Sequence, residues 1–191
     1  MWDEMYKKGN TAWGYDPASL LEEVLEQIPT KSNILDLGCG SGRNSKFLVD
    51  NGHTVVGLDS SSVAIKQAKK ICDATFIHQD VIVTDWTKQT FDVVLDFGFL
   101  HSWPKEQLLE YRNKLDSVLK IGGLYIGEQS KAINRKNPLG GSLYSPPFMR
   151  DKEFALFSGG YKQRIFRDTI LPAHDGWDVY PCYQMLLERT K

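Results

Sequence analysis

Between Asn33 and Ser45 the chain reads NILDLGCGSGRNS. A short apolar run carries one carboxylate, Asp36, and glycine then occupies positions 38, 40 and 42. The apolar run predicts a buried strand, and SGRNSKFLVDNG after it predicts a helix closed by Gly52. Glycine in the connecting turn permits positive φ and lets backbone N–H groups approach a ligand closely. In an open parallel sheet, ligands sit at the carboxyl ends of the strands. This stretch therefore reads as the first βα unit of an α/β fold, with its turn built for a ligand.

The rest of the chain continues the alternation. HTVVGLD, ATFIHQD, FDVVLDFG and GLYIGEQ are predicted strands. Between them, SSSVAIKQAKKI is a helix with serine capping, and PKEQLLEYRNKLDSVLKIGG is a long helix ending on two glycines. Ahead of the first strand, DPASLLEEVLEQI is a helix capped by Asp16, with Pro17 in its first turn. Alternating strands and helices predict βαβ units, a parallel sheet and helices on both faces. The tail differs: YKQRIFRDTIL and YPCYQMLLERT read as two further strands, an antiparallel hairpin at one edge, after a short helix near Glu153 to Phe157. The expected architecture is a Rossmann-like, doubly wound, mostly parallel seven-stranded sheet.

Composition narrows the function. Among 191 residues, 23 Lys and Arg face 24 Asp and Glu, a net charge of −1, which lacks the basic footprint of a nucleic-acid binder. No apolar run approaches the roughly 20 residues of a membrane span. The opening MWDEMYKKGN has no apolar core of a secretory signal. Cys39, Cys72 and Cys182 are widely spaced, with no metal-type cluster, so no metal site is expected and a reduced, cytoplasmic setting is.

The glycine spacing separates two cofactor classes. A dinucleotide turn reads G-x-G-x-x-G and cradles a pyrophosphate. Here the glycines follow G-x-G-x-G, and Arg43 stands where the third dinucleotide glycine would be. LDLGCGSG, led by Asp36, instead resembles the first motif of class I S-adenosylmethionine (SAM) methyltransferases. Further segments match that family in order: VVGLDSS with Asp59 at the end of strand two, HQDV with Asp80 after strand three, FDVVLDFGFLH at strand four, and VLKIGGLYIGE before strand five. The resemblance covers about residues 33 to 128.

The resemblance implies site residues. Gly38, Cys39 and Gly40 would lie against the methionine and ribose parts of SAM, with Asp36 leading the turn. Asp59 would bind the ribose with Ser60 beside it. Asp80 and Val81 would flank the adenine, and Asp96 and Phe97 would face the methionine end or the reaction centre. The opening WDEMYKKGNTAWGYDP resembles the thiopurine, thiol and tellurite methyltransferase-like group, which implies that Tyr6 and Trp13 fold over the cofactor. SPPF at 145 to 148 lies after strand five, so it is not the [DN]PP[YF] motif of nucleic-acid amino-methyltransferases.

Methyl transfer is an in-line displacement that depends on approach and desolvation. His101 and Trp103 in FLHSW are expected at the mouth of the substrate side, His101 as a base for a hydroxyl or amine. In the loop at 130 to 150, Tyr144 and Phe148 are expected to line the substrate pocket, with Arg135, Lys136 and Arg150 meeting an anionic substrate. The expected organisation is one methyltransferase domain: a cap segment at 1–30, the SAM-binding core at 31–129, a lid loop at 130–150, and a helix and hairpin at 151–191. The expected activity is methyl transfer to a small molecule, a thiol or other soft nucleophile first, with no nucleic acid or membrane partner. A non-catalytic SAM-binding protein and an NAD(P)-dependent oxidoreductase stand as alternatives.

Overall fold

The computed structural model describes residues 2–9, 14–83, 85–86, 88–100, 103, 105–130, 134–136, 142–144, 157, 159–171 and 180–191. A first helix, α1 (Trp2–Lys7), precedes α2 (Ser19–Val24), β1 (Asn33–Leu37), α3 (Arg43–Asp50), β2 (Thr54–Asp59), α4 (Ser62–Ile71) and β3 (Thr75–His78). β4 (Phe91–Phe97), α5 (Leu108–Val118) and β5 (Leu119–Ser130) follow, then two short paired strands, β6 (Asn134–Lys136) and β7 (Ser142–Tyr144). β8 (Tyr161–Leu171) and β9 (Tyr180–Arg189) end the chain.

Seven strands form one sheet in the order β3-β2-β1-β4-β5-β9-β8. The first five are parallel, and β9 runs antiparallel between β5 and β8. This is the expected doubly wound sheet with a C-terminal antiparallel hairpin at its edge. The chain reverses direction between β1 and β4, which opens a crevice at their carboxyl ends.

Strand periodicity divides the core between the two faces. Leu35, Leu37, Leu58, Val94, Tyr125 and Leu187 pack with α5 through Tyr111 and Leu115. Ile34, Val55, Val93, Leu95, Ile126 and Leu186 pack with α2 through Leu20, Leu21 and Val24.

Two local expectations are corrected. Asp16 does not cap α2: the N-cap is Ala18, whose side chain makes no cap. Asn44 on α3 accepts from the Ala18 N–H at 2.9 Å, and Arg43 donates to the Asp16 carbonyl at 2.6 Å. The start of α2 is thus fixed by α3, not by its own sequence. Nor do Gly122 and Gly123 end α5. That helix stops at Val118 because Leu119 is already paired with Phe91 in the sheet. Residues 120–123 form a bulge in β5, with Gly122 at φ 81°, before Leu124 pairs with Val93. α4 behaves as read: Ser61 accepts from the Ala64 N–H.

Candidate functional site

At the carboxyl ends of β1, β2 and β4 lies a pocket walled by Asp36, Gly38, Cys39, Gly40, Asp59 and Phe97 among others. The turn after β1 repeats positive φ at alternate residues: 65° at Gly38, 56° at Gly40 and 89° at Gly42. Gly42 also lets the start of α3 approach α4 and β3, since a Cβ there would sit 3.0 Å from the Ala68 Cβ and 3.3 Å from the Phe76 ring. That close packing is what a third dinucleotide glycine would provide, one residue before Arg43.

The N–H groups of this turn are largely engaged within the protein. Cys39 donates to the Leu58 carbonyl, Gly42 to the Cys39 carbonyl, and Gly40 to Asp59 Oδ2 at 2.9 Å. Asp59 Oδ1 accepts from the Ser61 N–H at 2.7 Å. Each carboxylate oxygen keeps a second lone pair, so this side chain can still take hydroxyl donors. A pyrophosphate would need these same turn N–H groups to face the ligand.

The charge points the same way. Among the described residues, Asp36, Asp59 and Asp80 line the pocket against one guanidinium, Arg43. Burial raises the Asp59 carboxyl above its usual range, and the two N–H bonds only partly offset this. Asp36 is 2% exposed, accepts from Ser45 Oγ at 2.6 Å, and is pushed up to about 7, first by burial. Such a wall suits a ligand with positive charge and disfavours an anionic one.

Asp36 makes stability depend on pH. Between about pH 4 and 7 the folded protein holds a proton that the unfolded chain has released, so stability falls as pH rises through that window. Asp36→Asn keeps an acceptor for Ser45 and removes the charge. It should raise the ligand-free Tm at pH 8 by ~5–10 °C and leave it nearly unchanged at pH 4, as read by differential scanning calorimetry. An equal shift at both pH values would show that Asp36 stays ionised when buried.

The remaining expected residues divide into three groups. Ser60, Asp80, Val81 and Tyr6 join the pocket wall. The Tyr6 hydroxyl lies over Gly40, 2.5 Å from where a Cβ there would be built. α1 is held in place by Asp3, which accepts from Ser61 Oγ at 2.6 Å and from the Val63 N–H at the start of α4. Burial raises the Cys39 thiol well above its ordinary range, so it is a wall residue and not a nucleophile.

Two expectations are corrected. Asp96 does not face the pocket. Adjacent strand residues point to opposite faces, so with Phe97 on the pocket side Asp96 turns toward α5. There, fully buried, it accepts from the Phe99 and Leu100 N–H groups, the Tyr111 hydroxyl and Gln129 Nε2. It shapes the turn that presents Phe99 to the pocket. Trp103 is not at a mouth either: it is 1% exposed, packs edge-on against Trp86, Phe99 and Tyr111, and donates to the Gln107 carbonyl.

His101, Trp13, Phe148 and Arg150 lie outside the described residues, as does the helix near Glu153 apart from Phe157. Tyr144 belongs to β7, and Arg135 and Lys136 to β6; their side chains lie outside the described ones. Trp2, Ser41, Asn44 and Phe99 also line the pocket and were missed by sequence. Trp2 and Phe99 had a signal, since Trp2 lies one helical turn from Tyr6 and Phe99 two positions after Phe97. Among the described residues, no group of His, Cys, Asp and Glu is placed to hold a metal, and no helix is long and apolar enough to cross a membrane.

Known proteins share this fold. A family model described as a methyltransferase domain matches residues 34–123. A 2-heptyl-1-hydroxyquinolin-4(1H)-one methyltransferase of Mycobacteroides abscessus is 28% identical over 116 residues, 58% of this chain and 51% of that protein. The chain thus spans about half the length of that relative. TehB from Haemophilus influenzae superposes with a TM-score of 0.75 at 18% identity, over 99% of this chain and 66% of its own. The Burkholderia thailandensis 1,6-didemethyltoxoflavin-N1-methyltransferase, solved with its acceptor and S-adenosylhomocysteine bound, superposes at 0.71 with 17% identity, over 98% of this chain and 85% of its own. At these identities the structural matches speak for the fold.

Proposed function

We propose that this chain is a class I SAM-dependent methyltransferase, in line with the methyltransferase-domain match over residues 34–123, and that it transfers the methyl group of SAM to a small-molecule acceptor and releases S-adenosylhomocysteine. One observation carries the cofactor reading: two acids of the pocket wall, Asp36 and Asp59, are buried, and the Cys39, Gly40 and Gly42 N–H groups of its glycine turn are engaged within the protein. SAM brings a sulfonium and an ammonium and no phosphate. Asp59 is assigned to the ribose hydroxyls, Asp80 and Val81 to the adenine, and Gly38 to Gly40 with Asp36 to the methionine end. Tyr6 closes over the turn.

The chain's own contribution to the chemistry is approach and dryness. Phe97, Phe99 and Tyr6 give the pocket apolar walls, and transfer is a direct displacement favoured by alignment and exclusion of water. A thiolate acceptor needs no base, whereas a nitrogen or oxygen acceptor must lose a proton. The reading keeps a small acceptor, in line with what the Mycobacteroides and Burkholderia relatives are named for. It also keeps one methyltransferase domain and the reduced, cytoplasmic setting expected from three widely spaced cysteines.

Calorimetric titration with S-adenosylhomocysteine and NADH tests the cofactor. The expected result is binding of the first and not the second. Asp59→Ala should weaken it by ~10–100-fold, the loss of a charge-assisted contact. NADH binding alone, or an unchanged affinity in the variant, would overturn the assignment.

A further inference from the structure

We infer that Glu128 is the proton acceptor of the transfer reaction and that the acceptor molecule presents an N–H nitrogen. This rests on the methyltransferase reading above. Glu128 stands at the carboxyl end of β5, in register with Phe97 of the pocket wall. Paired residues share a face, so Glu128 points to the side of the sheet that holds Asp36 and Phe97, one strand spacing of about 4.8 Å beyond Phe97. The described wall of the cofactor pocket draws on β1, β2 and β4 and takes no residue from β5. Glu128 therefore stands one strand beyond the Phe97 wall of the cofactor pocket, where the acceptor is placed here.

The side chain is held for a purpose other than stability. It is 7% exposed among the apolar residues Ile126 and Leu186 and makes no ion pair among the described residues. Gln184 Nε2 donates to its Oε2 at 2.9 Å. Gln184 is oriented in turn, because Arg167 Nε donates to its Oε1 at 3.0 Å and the Arg167 guanidinium pairs with Glu23 on α2. Phe97, Glu128, Gln184 and Arg167 thus form a row across four strands. The fixed amide presents N–H to Glu128, and Gln184 and Arg167 are positioning residues. The charged groups around Glu128 are Arg43, which acts on it directly, and Arg167 with Glu23 behind the amide. Burial raises its carboxyl above the usual range, toward where a base is useful near neutral pH. Arg43 favours the charged form but burial outweighs it, so an amide side chain would serve the fold as well or better.

The nitrogen lone pair forms the N–C bond while the methyl–sulfur bond breaks, its electron pair staying on sulfur. The N–H proton passes to Glu128, which releases it to solvent. A thiolate would arrive without that proton and would leave Glu128 without a task.

The test uses the full chain with tritium-methyl SAM. The nitrogen acceptors are benzimidazole, aniline and benzylamine; the thiols are thiophenol and 2-mercaptoethanol. Expected is transfer to at least one nitrogen acceptor, with kcat/KM reduced ~100-fold or more in Glu128→Gln. The Kd for S-adenosylhomocysteine should stay within threefold, and the ligand-free Tm should be unchanged or higher. Gln184→Leu removes a donor to the carboxylate and should move the acidic limb of the kcat/KM profile to higher pH. Transfer to thiols alone, no transfer to any nitrogen member by a protein that binds S-adenosylhomocysteine, an undiminished rate in Glu128→Gln, a lower Tm in that variant or an unmoved limb would each overturn the inference. Wild-type protein that fails to bind S-adenosylhomocysteine would instead overturn the methyltransferase reading, and this inference with it.

Discussion

Gly40→Val is expected to abolish measurable binding of S-adenosylhomocysteine while the protein still folds. Gly40 has φ 56°, a backbone conformation that β-branched residues rarely adopt. Forcing valine into it costs of the order of 1–3 kcal/mol. A Cβ there would also point across the pocket at the Tyr6 hydroxyl, 2.5 Å away. Tyr6 is the end of a flexible side chain and can yield, so the fold survives. The ligand has no such freedom, since the isopropyl group would stand between the glycine turn and the closing ring. The Kd should rise more than ~100-fold, over 2.7 kcal/mol, and the Tm should fall by ~2–10 °C. Gly40→Ala should show the same backbone strain with a smaller loss of affinity. Titration calorimetry beside circular dichroism separates the two effects. An affinity within threefold of wild type for the valine variant would mean that the ligand does not lie against this turn.

Much of this was legible locally. Glycine at every second position requires alternating positive φ, and the structure has it at 38, 40 and 42. Alternating strands and helices dictated the parallel sheet, and the hairpin was legible in its two apolar-patterned runs. The failures lie where distant residues decide. Asn44, 26 positions downstream, anchors the start of α2. α5 ends early because Phe91 claims Leu119 for the sheet. That pairing inserts a bulge and sets which β5 side chains reach the site face, so Glu128 was invisible to spacing arguments. Asp96 differs in kind. A strand cannot aim both Asp96 and Phe97 at one ligand, so period-two geometry alone was enough to choose between them.

Trp103 gives the other large effect. Its ring meets Trp86, Phe99 and Tyr111 at centroid distances of 6.3, 5.7 and 5.3 Å, all near-perpendicular, and Lys114 Nζ lies 5.5 Å over its face. Beyond the buried area, such aromatic pairs contribute about 0.5–1.5 kcal/mol each. Trp103→Ala would open a cavity beneath the turn that carries Phe99, at a cost of ~3–5 kcal/mol. Against a total stability of about 5–15 kcal/mol this lowers Tm by ~10–15 °C. Trp103→Phe retains an aromatic ring and loses the bond to the Gln107 carbonyl, so ~1–2 kcal/mol is expected. The phenylalanine variant decides between packing and chemistry. If Trp103 supports the wall through Phe99, this variant melts a few degrees lower, binds S-adenosylhomocysteine nearly as wild type and keeps most of its turnover. If instead Trp103 touches the reacting atoms, stability stays close to wild type and kcat collapses. Melting curves and turnover measured on one preparation distinguish these outcomes, and the burial of the ring leads us to expect the first.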